Sequence, residues 1–528
     1  MSFIFTQIFN QRTVVVIAVT IIYIVLWFRH KFSYWARRGV VGPKPEFLFG
    51  HIKNVIKRKE QFFQPYYDNY FKYKHLPYIG MYSFHQPVLA IHDPDIAKLM
   101  LIKDFDYFQS RGTYAGGVGD PLAANLFNIF GKRWKVLRLK MTPTFTPGKL
   151  KTMYPIVEDI ASRALNYVDE LQPEEKTLNF SDFYSKYAME IIANVGFGVE
   201  CNGFKNPDSE FYIRGHEYFD HKSHYWRLIR AFAFFAPDTF DSLKIRRISS
   251  KIEDFFYGIV KSTVQYRQKN DITRNDFLQT LIELKNENTV DEKGMWHVIR
   301  KNYGRQSETM LPHIPFTMTD VAANTMLYMI AGYETSATTG QFAAYQLALN
   351  PQIQAKAREE VLSVLAKYNG ECTYEAQNEM GYLNMVLDET MRIHPSMRAL
   401  FRRCNRDYKL PNSDLVIEKG TMVFIPTHAI HMDPDIFPDP HKFDPERFAP
   451  EKKAKLHPCH WMPFGEGPKK CLGVRQGYIQ SKMALIKVLQ KYELLLDQRT
   501  AVPMKIKNSS LVYAAEGGVW LKLRRLET

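Results

Sequence analysis

The stretch Pro463-Phe464-Gly465-Glu466-Gly467-Pro468-Lys469-Lys470-Cys471-Leu472-Gly473 reads as a tight loop, with a run from Leu472 to Tyr492 behind it that has helical periodicity. The single cysteine is thereby expected at a helix N-terminus, where the dipole and unpaired N–H groups favour a thiolate over a thiol. A thiolate is a soft axial ligand for iron. Gly465, Gly467 and Gly473 let backbone lie flat against a large planar ligand, and Lys469 with Lys470 set positive charge beside it. Those features together suit a haem. A free cysteine is more often inert packing than a ligand, so the rest of the chain has to decide.

Moving outward, Phe443-Asp444-Pro445-Glu446-Arg447-Phe448 lies just upstream, and Glu389-Thr390-Met391-Arg392 sets a carboxylate and a guanidinium three apart on a helix that Pro395 ends. By themselves such pairs are mostly surface salt bridges of small worth. A longer helix is expected from about Thr319 to Leu349, with Thr317 and Asp320 capping its start and Asn350-Pro351 ending it. At its middle stands Ala331-Gly332-Tyr333-Glu334-Thr335. Small residues there let a flat macrocycle approach, and an acid beside a hydroxyl can relay protons. The bland alternative is a threonine bonded back to a carbonyl one turn earlier, which predicts a local kink. Trp134 and Arg138, four apart in Gly-Lys-Arg-Trp-Lys-Val-Leu-Arg, share a helix face, an arrangement that is usually only a cation–π contact. Residues Tyr78 to His92 read as a hairpin closed by Asp93-Pro94, and the glycine-rich run Arg111 to Gly119 as a candidate substrate lid. The charged stretch from Lys285 to Arg305 reads as a solvated surface insertion.

At the N-terminus, Val14 to Phe28 is almost uninterrupted apolar sequence, close to the ~20 residues that cross a bilayer. No small-residue cleavage site follows; Arg29, His30, Lys31, Arg37 and Arg38 do, which argues for a retained anchor with its basic flank, and so the following domain, on the cytosolic side. The expected division is an anchor and basic flank at 1–38, a stiff proline hinge around Gly42-Pro43-Lys44-Pro45 at 39–50, and one catalytic domain at 51–528. At 45% hydrophobic and 14% aromatic residues, the chain has material for a core with an apolar cavity, which excludes a disordered protein. Cys201, Cys372, Cys404, Cys459 and Cys471 are odd in number and lack CxxC spacing, so neither a disulfide framework nor a zinc site is supported. A net charge of +15 without a dense Lys/Arg tract, zinc-finger spacing or RNA-binding signature points to anionic lipid and an acidic protein partner, not to nucleic acid.

Phe464, Gly467, Cys471 and Gly473 fit the Phe-x-x-Gly-x-x-x-Cys-x-Gly signature of the cytochrome P-450 haem-thiolate enzymes, and the other motifs occur in that family's order over nearly the whole chain. The resemblance implies the family's fold, mainly α with small β-sheets, here behind an N-terminal transmembrane anchor helix. It makes Cys471 the axial ligand of the iron of haem b. It places Trp134, Arg138 and Arg402 on the haem propionates, with Phe464 and Lys469 beside the cofactor and Ser396 to Cys404 as a strand along its edge. Thr335 and Glu334 become the catalytic proton-delivery pair, and Glu389, Arg392 and Arg447 a structural triad behind the haem. Phe211 to Asp241 resembles the roof of the substrate pocket. Asp104-Phe105-Asp106-Tyr107-Phe108, Asp120-Pro121-Leu122, the run Leu137 to Leu150 and Glu516-Gly517-Gly518 are most similar to the insect microsomal branch that oxidises plant toxins and insecticides. One departure is Lys469, where most members carry Arg; it keeps the charge and loses the fork that grips a carboxylate.

The resemblance implies a monooxygenase on the cytosolic face of the endoplasmic reticulum that inserts one atom of O2 into a lipophilic small molecule. Its electrons come from NADPH through a separate flavoprotein reductase, with cytochrome b5 a second donor among such partners; endogenous hormones or lipids stand beside xenobiotics as substrates. The rival readings are a haem-thiolate isomerase or dehydratase needing no reductase, and a haem-binding sensor or carrier without turnover. For the reductase, Lys132, Arg133, Lys135 and Lys140 with Lys469 and Lys470 are expected to form a basic docking patch.

Overall fold

The computed structural model describes the chain except for Met1, Val118, Ala236 and residues 172–174, 220–223, 287–313, 509–510 and 527–528. The inserted stretch at 285–316 therefore lies for the most part outside the described residues. The strands are β1 (Tyr78–Ser83), β2 (Gln86–Ile91), β3 (Glu175–Asn179), β4 (Leu400–Arg403), β5 (Tyr408–Lys409), β6 (Val416–Ile417), β7 (Met422–Ile425), β8 (Tyr492–Leu496) and β9 (Trp520–Arg525); the rest of the regular structure is helical.

One helix, Met318–Leu349, organises the others. Its sequence is apolar or small on nearly every face, as a helix enclosed by other helices requires, and it is buried from Val321 to Met326 and again from Ser336 to Ala348. The expected capping box is present: Asp320 N–H donates to Thr317 Oγ1 at 3.2 Å and Thr317 N–H to Asp320 Oδ2 at 2.9 Å. Gly340 lets the helix lie against the ring of Tyr184 on the neighbouring Phe180–Ile191 helix, because a Cβ there would stand 2.1 Å from the ring. On another side it meets the Val474–Lys491 helix, where Ser336 Oγ donates to Gln480 Oε1 at 3.4 Å.

The hairpin β1–β2 joins a four-stranded sheet in the order β1-β2-β7-β4, with β2 and β7 parallel and the other pairs antiparallel. Pairing of Arg402 with Val423 fixes the face on which Arg402 emerges. A second sheet runs β3-β9-β8 and a third pairs β5 with β6. The strand expected over Ser396 to Cys404 is shorter, Leu400–Arg403, and the helix expected over Leu472 to Tyr492 spans Val474–Lys491, with Tyr492 already the first residue of β8.

The N-terminal helix Ser2–Phe32 is long and apolar enough to cross a membrane, and its residues Val14 to Tyr23 are exposed, as a candidate anchor's would be. Residues on both sides of Arg38 and within the proline-rich segment 39–50 make contacts with β1. Trp35 is buried, its indole N–H donates to Met81 O at 2.8 Å, and Gly80 N–H donates to Val41 O at 2.8 Å. A Cβ on Gly42 would lie 1.9 Å from Gly80 O, and one on Gly80 would strike Trp35. Apolar area and backbone contact together join these residues to β1.

Candidate active site

Backbone geometry that few side chains tolerate builds the cysteine loop. Gly465 and Gly467 have φ of +70° and +75°, and a Cβ on Gly467 would meet Leu101 O at 1.9 Å. Cys471 N–H donates to Phe464 O at 2.9 Å and closes the loop, while Phe464 packs against Tyr478. Cys471 precedes the helix by a short turn, with Gly473 at the N-cap. Of the five cysteines it alone is exposed. Its thiol is open to a small molecule yet lies deep in the protein, so burial raises its pKa, while the Gly473 N–H, Arg138 and Arg111 oppose that rise. The expectation that the helix terminus alone favours thiolate is therefore corrected: desolvation outweighs it, and coordination to a metal cation is what deprotonates such a thiol.

Arg138 and Arg111 act on this thiol electrostatically, and Arg402 and Lys469 belong to the same cluster of cations. Arg402 is buried on β4; one guanidinium nitrogen donates to Phe401 O at 2.8 Å, and its Nε has no partner. Arg403 N–H donates to Ser110 O at 2.9 Å, which sets Arg111 beside this strand. Arg111 donates to Phe127 O at 2.8 Å and to Lys469 O at 3.1 Å. Lys469 is buried, donates to Ile129 O at 3.1 Å and lies 4.7 Å over the Trp134 ring. Burial first, then Arg402 and Arg138, hold the Arg111 pKa well below its usual value; burial and the same neighbours with Arg111 do so for Lys469. Burial alone brings Arg402 to about 10. Among the described residues no carboxylate pairs with Arg111, Arg402 or Lys469, and buried cations without counter-charge call for an anionic ligand. Nor does any cluster of three His, Cys, Asp or Glu able to hold a metal occur among them. A metal bound at Cys471 must then bring most of its own ligands. A haem, with four ring nitrogens and two propionates, fits both demands.

Trp134 and Arg138 stand on the Gly131–Met141 helix, with Trp134 buried against Phe105. Sequence reasoning missed Arg111 as a member of this group, because it opens the glycine-rich run that reads as a lid. That run borders a cavity of about 490 Å³, lined by Ala115, Gly116, Ile129 and Phe130 and by the Arg133–Asp320 ion pair; Cys471 does not line it.

On the central helix, Ala331 is exposed although its neighbours Met329 and Tyr333 are buried, so it borders open space in the interior. Gly332 serves another purpose than the one expected of it: a Cβ there would strike Ile192 at 2.8 Å, so its smallness lets two helices approach. Thr335 Oγ1 donates to Ala331 O. The carbonyl of Thr335 accepts hydroxyls from Thr339 at 3.0 Å and Ser396 at 3.3 Å. The helix assignment is continuous through this point, and the back-bond that the bland reading describes is present. Glu334 acts electrostatically on Arg230 of the His224–Phe235 helix, and Tyr333 bonds His216 on the Glu210–Phe219 helix at 3.0 Å. The central helix therefore meets the stretch expected to form the roof.

Glu389 and Arg392 are fully buried and paired through two bonds of 2.7 and 2.8 Å, with Arg447 3.4 Å from the same carboxylate. Arg392 also donates to His431 O and Pro440 O, and Asp444 N–H donates to Glu389. The segment leading to the cysteine loop is thus tied to the Gly381–Ile393 helix.

The basic docking patch does not assemble as expected. Lys140 is buried, and burial lowers its pKa; Lys469 is buried as described. Arg133 pairs with Asp320 at 2.9 Å, Lys135 with Asp106 at 3.3 Å and Lys470 with Glu466 at 2.9 Å. Helix periodicity alone did not show which face of the Gly131–Met141 helix turns inward.

A fold of this kind around one accessible cysteine, with Arg111, Arg402 and Lys469 nearby and no carboxylate paired with them among the described residues, suits a haem-thiolate protein. The family profile described as Cytochrome P450 matches residues 40–521, and the chain belongs to that family of monooxygenases. It is similar to "Probable cytochrome P450 6a14" of Drosophila melanogaster, 38% identical over 94% of this chain and 96% of the relative. Against "Cytochrome P450 6k1" of Blattella germanica it is 36% identical over 96% and 95%, and against "Cytochrome P450 6A1" of Musca domestica 34% over 97% of each.

Proposed function

We propose that this P450 is anchored in the endoplasmic reticulum membrane by the helix before Trp35 and oxidises lipophilic small molecules, foremost xenobiotics, on the cytosolic face. NADPH serves indirectly, through a flavoprotein reductase. The observation that carries this reading is the accessible thiol of Cys471 among buried cations that lack counter-charge. Haem, when bound, supplies the redox-active iron and the thiolate-assisted cleavage of the O–O bond. Cys471 would hold the iron, Arg111, Arg138 and Arg402 would hold the propionates, and Trp134 and Phe464 would pack beside the macrocycle. Thr335 carries a mobile proton at Oγ1, shared with Ala331 O, and Glu334 at the adjacent position relays protons from solvent toward it, taking up each proton before passing it on. Glu389, Arg392 and Arg447 take no part in proton movement and hold the backbone from which the cysteine loop departs. The roof helices exclude water and set specificity with aromatic and aliphatic side chains.

The deciding experiment expresses the full chain and records the reduced, carbon monoxide difference spectrum, then NADPH consumption with an added reductase and a panel of lipophilic substrates. A thiolate spectrum with substrate-dependent NADPH use supports the proposal. Turnover of an oxidised substrate without NADPH would support the isomerase or dehydratase class, and a spectrum without any turnover a sensor or carrier.

A further inference from the structure

Lys469 occupies the junction between the cysteine loop and the start of the Gly131–Met141 helix. Its ammonium donates to Ile129 O at 3.1 Å, a carbonyl two residues ahead of the helix and outside its hydrogen-bond ladder. The same ammonium lies 4.7 Å over the Trp134 ring. The backbone of Lys469 takes part as well: its carbonyl accepts from Arg111 at 3.1 Å, while Arg111 also donates to Phe127 O at 2.8 Å and stacks 4.2 Å from the Phe127 ring. Side chain and main chain of one residue thus grip a single stretch, 127–134, from two points. That stretch leads directly into the helix carrying Trp134 and Arg138.

We infer that Lys469 is a positioning residue, a clip that fixes residues 127–134 against the cysteine loop and leaves anion recognition to Arg111, Arg138 and Arg402. A compact ammonium suits one carbonyl and one ring face. An arginine there would bring five N–H groups in a rigid fork, most of them without acceptors in a buried site unless they turned to an anion. The substitution of Lys for the fork thus moves one cation from holding a ligand to holding the wall beside it. The inference rests on the haem-binding reading for its consequence, since a loosened wall releases haem, but the clip itself is a protein–protein contact that can be read without haem.

The test uses the full-length protein with Lys469→Met, Lys469→Gln and Lys469→Arg. Amide hydrogen exchange over 127–134 reads the clip, and the rate of haem transfer to excess apomyoglobin reads its consequence. Losing the donor in Lys469→Met should speed both by about tenfold, the size of a lost hydrogen bond to a charged group. Lys469→Gln, which keeps a donor and loses the charge, should restore most of both. If Gln and Met release haem equally fast while exchange over 127–134 stays unchanged, the ammonium acts as a direct charge partner and the inference fails. Slower haem transfer in Lys469→Arg at unchanged exchange would overturn it in the same way. A protein that binds no haem sinks the proposed function alone, because the exchange arm still decides the clip.

Discussion

The cysteine loop and the roof helices border the same interior and are held by different forces. Around the loop, positions are over-determined: Gly467 has no room for a side chain, Cys471 N–H closes on Phe464 O, and the buried Glu389–Arg392 pair anchors the preceding segment. The roof, at Glu210–Phe219, His224–Phe235 and Pro237–Ser242, exposes Ile213, Tyr225 and Leu228. Phe211, Tyr218, Ala233 and Phe240 pack it into the main core, Arg230 to Tyr218 O joins two of its helices, and polar ties to its surroundings are Tyr333 to His216 and Arg403 to Asp238 at 2.7 Å. The Asp238 side chain is 71% exposed, so water competes for that last tie. The contrast teaches where this enzyme places rigidity. The cysteine side is fixed by buried contacts, whereas the roof carries exposed apolar side chains and partly exposed polar ties.

The largest expected effect breaks the rigid side at its centre. Cys471→Ala should abolish the thiolate carbon monoxide spectrum with Cys459 intact, because Cys459 is fully buried in a different part of the core and burial pushes its thiol up to about 12. A normal spectrum from this variant would move the ligand elsewhere. Next comes Glu389→Gln, which leaves the Arg392 charge buried without its partner. It should destabilise the fold by about 3–5 kcal/mol, read by thermal or denaturant unfolding, while a drop below 1 kcal/mol would show that the region near the loop is not over-determined.

Thr335→Ala touches the helix between the two regions. Its spectrum and substrate binding should persist while product per NADPH falls and hydrogen peroxide rises; unchanged coupling would assign the hydroxyl to the Ala331 back-bond alone. The smallest effect belongs to the roof. Asp238→Asn should change stability by less than about 1 kcal/mol and speed substrate association and release together, measured by stopped flow. The Arg403 hydrogen bond lowers the Asp238 pKa in the folded state, so the tie is complete above the ordinary aspartate range and is lost as pH falls through the lowered value. The Asn variant should lack that acid-side acceleration. If it keeps it, another group governs the roof.

Much of the architecture is legible in the chain because it depends on local rules. The capping box at Thr317 and Asp320, the hairpin at Tyr78 to His92 and the order of elements follow from spacing and turn chemistry. Cys471, Trp134, Arg138 and Thr335 stand in short motifs whose roles came from the resemblance to the family, since spacing alone favoured bland readings for the last three. Arg111 could not be named from the sequence, since a lone arginine at the edge of a glycine-rich run carries no local signal.

By itself, then, the sequence determined the class of chemistry, through motifs that resemble one family, and a helix long and apolar enough to cross a membrane, because motifs and composition act over a few residues. Only the tertiary structure decided that residues near Trp35 and Gly42 touch β1, that Gly332 packs a helix, that Lys140 turns inward and that Lys469 spends its ammonium on Ile129. It also decided that desolvation raises the Cys471 thiol against the pull of its neighbours. Burial and electrostatic surroundings are sums over residues far apart in the chain, and no local pattern contains them.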